Sequence, residues 1–324
     1  MHASTLHIHA IVINYFCFAQ TIELLHQFEK LQSNNNIRLS VTCADNSNNT
    51  QEQRELEAFQ QQSRLELRLL FNQKNLGFGR AINAAAQDIS FDYLWLVNPD
   101  VTLFPCAFDK LLSAATIAPM QGIWGGVTVT AKQQADHRHA WREPNLWSTA
   151  GWAFGLSKVI RAHGWWHDHY QYDARHNLTQ SYPVDSVTGC CLLIRKELWD
   201  KLNGFDDEFF LYSEETDLCR RARRAGFQPT IVPTARLLHS SIGSKGNWQR
   251  LTLIYHAKLL YAAKHHDLLY CLCFRFILLS GGLIRGLPQL AKGNTKLAKA
   301  WLTIAIDAIH LSSRSIKKRY AEQR

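Results

Sequence analysis

The fold turns on eight residues, Tyr93-Leu94-Trp95-Leu96-Val97-Asn98-Pro99-Asp100, in which a short apolar run reads as a strand and Asn-Pro-Asp ends it. Three similar runs precede it, His9–Tyr15, Ile37–Ala44 and Leu65–Phe71. Helical patterns separate them. One carries Leu24, Leu25, Phe28 and Leu31, a second covers Glu52–Gln62, and a third runs from a glycine-containing loop at Asn75–Arg80 through Ala86. Strands alternating with helices predict an open, mostly parallel α/β sheet. Ligands of such sheets bind beyond the carboxyl ends of the strands. Asp45 and Asp100 both stand at ends of that kind.

Toward the C-terminus, Gln121–Tyr182 is rich in Trp, His and Gly without clean periodicity, and it reads as irregular cover over the site. Order returns with Val187–Arg195, a helix over Lys196–Leu202, and an acidic helix from Ser213 that Gly226 ends. A strand at Pro229–Val232 then leads to His239. From Trp248 the chain reads as helices. Its most apolar part, Leu268–Ile284, is short for a span of about 20 residues and contains Arg275. These features predict an interfacial or re-entrant segment rather than a spanning helix. The expected division is therefore 1–245 for the α/β domain and 246–324 for a helical, basic, membrane-associating extension.

Of the 324 residues, 46% are hydrophobic and 19% charged, a globular rather than disordered composition. The net charge of +9 is uneven: from Ser240 onward 14 Lys and Arg face only Asp267, Asp307 and Glu322. A near-neutral body with a cationic tail implies an anionic contact, either phospholipid headgroups or nucleic acid. Long apolar runs interleave with the charge and no nucleic-acid-binding motif accompanies it, which favours an anionic membrane surface and no nucleic acid. Eight cysteines show neither metal-ligand nor disulfide-scaffold spacing, and no secretory leader pattern opens the chain. A reducing cytoplasm is expected.

Four groups of residues can carry chemistry. Asp100, at a strand's end, can hold a hard divalent cation whose other ligands are phosphate oxygens, although Asn-Pro-Asp is also good turn chemistry. In Ser213-Glu214-Glu215-Thr216-Asp217, Ser213 can cap a helix and the acids complement its dipole. These acids also follow the aromatic run Phe209-Phe210-Leu211-Tyr212, where burial raises a carboxyl pKa toward that of a general base. Helical spacing puts Glu214 and Asp217 on one face and turns Glu215 away, so one acid can act while the others position the helix. His239, just past a strand, is either structural or a neutral imidazole ligand beside a carboxylate. Gly77 and Gly79 ahead of a helix, with Arg80, can border phosphate, though not with the spacing of a Walker loop.

Taken in order, these stretches resemble family-2 glycosyltransferases of the rhamnosyltransferase-like branch. The matching residues are Ile11–Tyr15, Asp45-Asn46-Ser47, Asn75-x-Gly77-Phe78-x-x-Ala81-x-Asn83, Leu96–Asp100, Gly204–Arg221, and Pro233-x-Ala235 with His239. The resemblance implies a GT-A fold, a nucleotide-sugar donor and a bound Mg2+ or Mn2+. It assigns the metal to Asp100 and His239, the catalytic base to Glu215, and the nucleobase to Asp45. Asn14, Asn75, Gly77, Phe78, Arg80, Asn83 and Asn98 complete the nucleotide-sugar site. Asp185 falls near the acceptor, and Glu214 and Asp217 serve the acceptor or the helix position. Three positions depart from the pattern: Asn98 replaces the first acid of D-x-D, Phe16 stands where Asn is frequent, and Glu215 is one methylene longer than the usual Asp. The implied function is inverting transfer of a sugar, foremost L-rhamnose from dTDP-rhamnose, to a lipid-linked saccharide in bacterial surface-polysaccharide assembly. The implied location is the inner face of the cell membrane. Competing expectations are another UDP- or dTDP-sugar, a non-catalytic nucleotide-sugar-binding module, and a nucleotidyltransferase.

Overall fold

The computed structural model describes residues 5–31, 37–130, 132, 139–156, 179–240 and 248–310. Strands β1 (Leu6–Asn14), β2 (Ile37–Asp45), β3 (Glu66–Phe71) and β4 (Tyr93–Val97) alternate with helices α1 (Phe18–Leu31), α2 (Thr50–Gln62) and α3 (Phe78–Ala86). They pair in parallel in the order β3-β2-β1-β4. Next come β5 (Val101–Leu103), α4 (Ala107–Ile117), β6 (Ile123–Val129), β7 (Ala140–Trp141) and α5 (Leu146–Ala153). After these follow β8 (Tyr182–Pro183), β9 (Ser186–Val187), β10 (Cys191–Arg195), α6 (Lys196–Leu202), α7 (Glu214–Arg224) and β11 (Thr230–His239). The sheet is mixed in this half: β10 lies antiparallel between β4 and β6, and β11 is parallel to β6 but antiparallel to β5.

Period-2 alternation sorts the strand residues to two cores. Ile8, Ala10 and Val12 of β1, with Tyr93, Trp95 and Val97 of β4, meet Leu24, Leu25 and Phe28 of α1 and Leu111 of α4. Ile11, Leu94 and Leu96 point the other way, to Ile82 and Ala85 of α3, Leu198 of α6, and Leu218 and Ala222 of α7. Helices cover both faces, so β4 is apolar throughout.

Three elements differ from the sequence reading. Within the supposed irregular cover, Ile123–Val129 is a fully buried strand. Its two glycines hide it, because glycine normally weakens a strand. Here they allow close approach: a Cβ at Gly125 would lie 2.2 Å from Val187 Cγ1, and one at Gly126 2.5 Å from the Ala235 carbonyl oxygen. Residues 157–178 of that same stretch lie outside the described residues. The strand expected over Pro229–Val232 continues to His239 through Pro233, with a register shift between Val232 and Arg236 that absorbs the proline.

The last difference concerns the apolar tail. After α8 (Trp248–His265), the helix α9 runs over Leu268–Ala291, 24 residues rather than about 17, and continues past Pro288. Asp267 caps it by accepting from the Tyr270 N–H at 2.8 Å. By length and composition it is sufficient to cross a membrane. Helix α10 (Thr295–His310) follows.

By compactness the chain divides into two units that interleave in sequence. One comprises Met1–Trp141, Tyr172–Asp207 and Glu215–Ile242; the other comprises Arg142–Gln171, Glu208–Glu214 and Gly243–Arg324. The second unit is helical and has its own core, in which Phe209, Tyr255, Leu259, Phe274 and Trp301 are buried together.

Candidate active site

Strand pairing makes the first part of the site. Strand β4 ends at Val97, and Asn98–Asp100 turn the chain into β5, which pairs with β11 so that His239 lies opposite Val101. That register sets His239 beside Asp100, 139 residues away in sequence, with Nε2 3.2 Å from Oδ2. The Asp100 carbonyl accepts from both the Ser240 N–H at 3.2 Å and its hydroxyl at 3.1 Å. Both side chains remain accessible, His239 at 19% and Asp100 at 24%, so a ligand can reach them.

The pair suits a divalent ion. One carboxylate oxygen and one imidazole nitrogen form a donor set for Mn2+ or Mg2+. Two adjacent ligands of an octahedral ion at about 2.1 Å lie roughly 3 Å apart, close to the separation here. Among the described residues no group of three or more His, Cys, Asp or Glu is gathered for a metal. Asn98, an amide, contributes backbone instead: its N–H donates to the Cys190 carbonyl at 2.9 Å.

That hydrogen bond leads to the second part. Gly189 precedes Cys190, and a Cβ on Gly189 would lie 3.9 Å from Glu215 Cβ and 3.4 Å from Phe78 Cε1. Glu215 from α7 and Phe78 from α3 thus both flank Gly189, and Asn98 bonds to the residue that follows it. The Cys190 thiol reports the same convergence: burial pushes its pKa up, and the nearby Asp100 and Glu215 carboxylates push it further. Glu215 Oε2 is shielded from water and has no hydrogen-bond partner among the described residues. Burial raises its pKa to about 7. The backbone leading to α7 is strained, with Tyr212 at φ 71° and Ser213 at φ 66°. Ser213 therefore lacks the extended conformation of a capping residue.

The neighbouring acids are used differently. Asp217 is fully buried and accepts from Arg221 Nε at 2.7 Å. Arg221 also donates to the Leu202 and Gly204 carbonyls at 2.8 and 3.0 Å, tying α7 to the end of α6. Glu214 is buried in the first turn. Asp185 lies 3.7 Å from Arg223, which is eight residues, or about 12 Å of helix, beyond Glu215. At the start of α7 it is the Gly189 backbone that lies near the Glu215 Cβ. Sequence spacing could not separate them, because the 185–190 segment reads as one short approach to a strand.

The third part lies at the ends of β1 and β2, where Asn14 and Asp45 are paired in register. Both are fully buried. Asp45 Oδ1 accepts from Asn14 Nδ2 at 2.8 Å and from the Ser47 N–H and hydroxyl at 3.1 and 2.7 Å; Oδ2 accepts from Gln53 at 3.0 Å. Asn14 also donates to Glu52 at 2.8 Å. Next to them, Asn75 Oδ1 accepts from the Gly77 N–H at 2.9 Å, and Asn46 donates to the Gly77 carbonyl at 3.0 Å. Asn72 donates to Asn46 at 2.9 Å. Gly77, at φ 84° and ψ −174°, holds a conformation open only to glycine.

Arg80 and Asn83 differ from expectation. Both turn to the Gly204–Asp207 segment: Arg80 Nε donates to the Asp207 carbonyl at 2.6 Å, while Asn83 donates to the Phe205 carbonyl and accepts from its N–H. The Asn83 amide pairs with this backbone as a second strand would and fixes the turn. Asn46, which the sequence offers only within Asp45-Asn46-Ser47, and Asn72, which it does not mark, hold the loop. Polar residues after a strand are common loop chemistry, and only their mutual contact distinguishes them.

A parallel-to-mixed α/β sheet with acids and an imidazole at its strand ends defines a GT-A-type nucleotide-sugar transferase fold. The chain belongs to the family described as glycosyltransferase like family 2, whose model matches residues 8–254. It is similar to the N-acetylglucosaminyl-diphospho-decaprenol L-rhamnosyltransferase of Mycobacterium tuberculosis, with 29% identity over 222 residues covering 60% of this chain and 66% of that one. The match spans slightly less than two thirds of that relative's length. Similarity to the rhamnosyltransferase WbbL of Escherichia coli is 38% over 56 residues, 17% of this chain and 21% of that protein. Among solved structures, the fold is similar to a Pyrobaculum calidifontis mannosyltransferase in complex with GDP-Man and Mn2+. The TM-score is 0.55 at 14% identity, over 98% of this chain and 79% of that one.

Proposed function

We propose that the protein is an inverting glycosyltransferase that moves L-rhamnose from dTDP-rhamnose to a saccharide carried on a polyprenyl diphosphate, working at the cytoplasmic face of the membrane in surface-polysaccharide assembly. What carries the reading is one juxtaposition: the Asp100–His239 pair at 3.2 Å, joined through Asn98, Cys190 and Gly189 to Glu215, whose Oε2 is shielded and has no partner among the described residues. The likeness to two rhamnosyltransferases supports the sugar, and the name of the mycobacterial relative supports the acceptor class. The basic tail supports a membrane location through attraction to anionic headgroups.

Asp100 and His239 would hold the Mg2+ or Mn2+, whose charge neutralises the departing diphosphate. Glu215 Oε2 accepts the proton of the acceptor hydroxyl as its oxygen bonds to the anomeric carbon. The bond from that carbon to the diphosphate oxygen breaks on the opposite side, and nucleoside diphosphate leaves. One displacement inverts the sugar. A pKa of about 7 leaves Glu215 ionised often enough to act and basic enough to hold the proton. The Asn14–Asp45 and Asn72–Asn46–Asn75 networks keep the donor half rigid, and Asp217 holds α7 through Arg221.

The test is a panel of nucleotide sugars incubated with membranes bearing lipid-linked glycans, assayed for nucleoside diphosphate. dTDP release from dTDP-L-rhamnose, abolished by EDTA and restored by Mn2+ or Mg2+, is expected. Binding of donor without any diphosphate release would make the protein a non-catalytic module. Release of pyrophosphate would make it a nucleotidyltransferase.

A further inference from the structure

Helix α9 is built inside out. Every exposed residue between Leu268 and Ala291 is uncharged and apolar, with Leu269, Leu272, Phe276, Leu283, Leu287 and Leu290 the main ones, all more than two fifths exposed. At 100° per residue these six fall on one side of the helix. The opposite side carries the polar and small residues. Arg275 donates to the Ala308 carbonyl at 3.0 Å, and Arg285 donates to the Trp152 carbonyl at 3.0 Å while stacked over the Trp152 and Trp301 rings. Gly281 meets Ala153, and Gly282 and Gly286 meet α10. A helix facing water arranges these classes the other way round. Beyond its C-terminal end follow exposed Lys292, Lys296 and Lys299.

We propose that this face of α9 inserts in the plane of an anionic phospholipid leaflet, one leaflet deep, with the three lysines at the headgroups. The uncovered apolar side runs along the whole helix, about 36 Å, too long and continuous for scattered surface residues. Burial of the other side against α5 and α10 leaves no second face for lipid, whereas a spanning helix meets lipid or protein all round. The lysines complement anionic headgroups rather than a second copy of the same basic unit. The inference rests on the membrane location proposed above and specifies the surface that makes it.

The experiment uses the full chain with vesicles of phosphatidylcholine alone or mixed with phosphatidylglycerol. Sedimentation with the mixed vesicles is expected, falling at least tenfold in the triple variant Leu272→Glu/Leu283→Glu/Leu287→Glu, whose sites are exposed and whose helix content is checked by circular dichroism. Single fluorescent labels at Leu269→Cys, Phe276→Cys and Leu287→Cys, on one side of the helix, should be quenched to equal shallow depth by brominated lipids. These changes are mild enough to test the geometry if the triple variant unfolds. Depths that diverge between positions 269 and 287, about 27 Å apart along the axis, would mean a spanning helix and overturn the proposal. Unchanged binding of a folded triple variant would overturn the assignment of this face while leaving membrane docking by the tail intact. No vesicle binding by the parent chain would sink the membrane location itself. A parent dimer that the triple variant dissolves, without vesicle binding, would assign the face to a second copy.

Discussion

Two carboxylates at the carboxyl ends of the same sheet meet opposite treatment. Asp45 is fully buried, and four donors from Asn14, Ser47 and Gln53 satisfy its oxygens. Glu215 sits against Gly189 with an oxygen shielded from water and unpartnered among the described residues. A carboxylate met by four donors stiffens what surrounds it; one with a shielded, unpartnered oxygen is driven toward neutrality and becomes a base of useful strength. The β1–β2 end of the sheet is thus architecture, and in the proposed function the start of α7 would supply the base at a cost in stability.

The sharpest way to break this contrast is Glu215→Gln. Turnover should fall by about 10²-fold or more with donor binding retained, the range for loss of a general base. Near-normal turnover would remove Glu215 from the role. Stability should move the other way. The Glu215 pKa is raised from 4.5 to about 7, so below pH 4.5 both folded and unfolded chains are protonated and nothing is lost. As pH rises from 4.5 to 7 the unfolded chain releases this proton and the folded one retains it, which costs the fold as much as about 3 kcal/mol above pH 7. The Gln variant should therefore melt several degrees higher than the parent at pH 8, with the gap closing toward pH 4.5. Parent turnover should rise across pH 7 as the base ionises.

A smaller effect is expected from Asp45→Asn. The new amide presents hydrogens to donors, leaving Asn14, Ser47 or Gln53 unmatched at about 1–3 kcal/mol. The melting temperature should fall, and donor KM should rise severalfold while kcat stays within about threefold. A loss of kcat comparable to that of Glu215→Gln would erase the distinction between the two acids. Smallest of all is Gly189→Ala. Its Cβ fits at 3.4 Å from Phe78 and 3.9 Å from Glu215, so thermal stability should barely change. Turnover should drop by only a few-fold, through crowding beside the base. A drop as large as that of Glu215→Gln would mean the backbone at Gly189 itself contacts substrate.

Much of this arrangement follows from local pattern. Strand–helix alternation through residue 97 needed only period-2 and period-3.6 hydrophobicity, because each element buries its own face, and β4 and α6 match the expected bounds residue for residue. The composition of Leu268–Ile284 likewise marked an apolar helix, which the structure extends to Ala291. Local pattern failed where glycine or proline stood inside a strand, as at Gly125, Gly126 and Pro233, since their fit depends on what a neighbouring strand brings to within 3 Å.

Side-chain chemistry divides the same way. That Asp100, His239 and Glu215 are the right types for a metal and a base is a property of the residues themselves. Their surroundings are not: the β5–β11 register sets His239 beside Asp100, while Glu215 lies against Gly189, one residue before the Cys190 carbonyl that accepts from Asn98. Which acid is saturated and which left wanting depends on donors distant in sequence, as does the turning of Arg80 and Asn83 toward Gly204–Asp207. Hydrogen bonds and desolvation act over a few ångströms of space, and only the folded chain sets those distances.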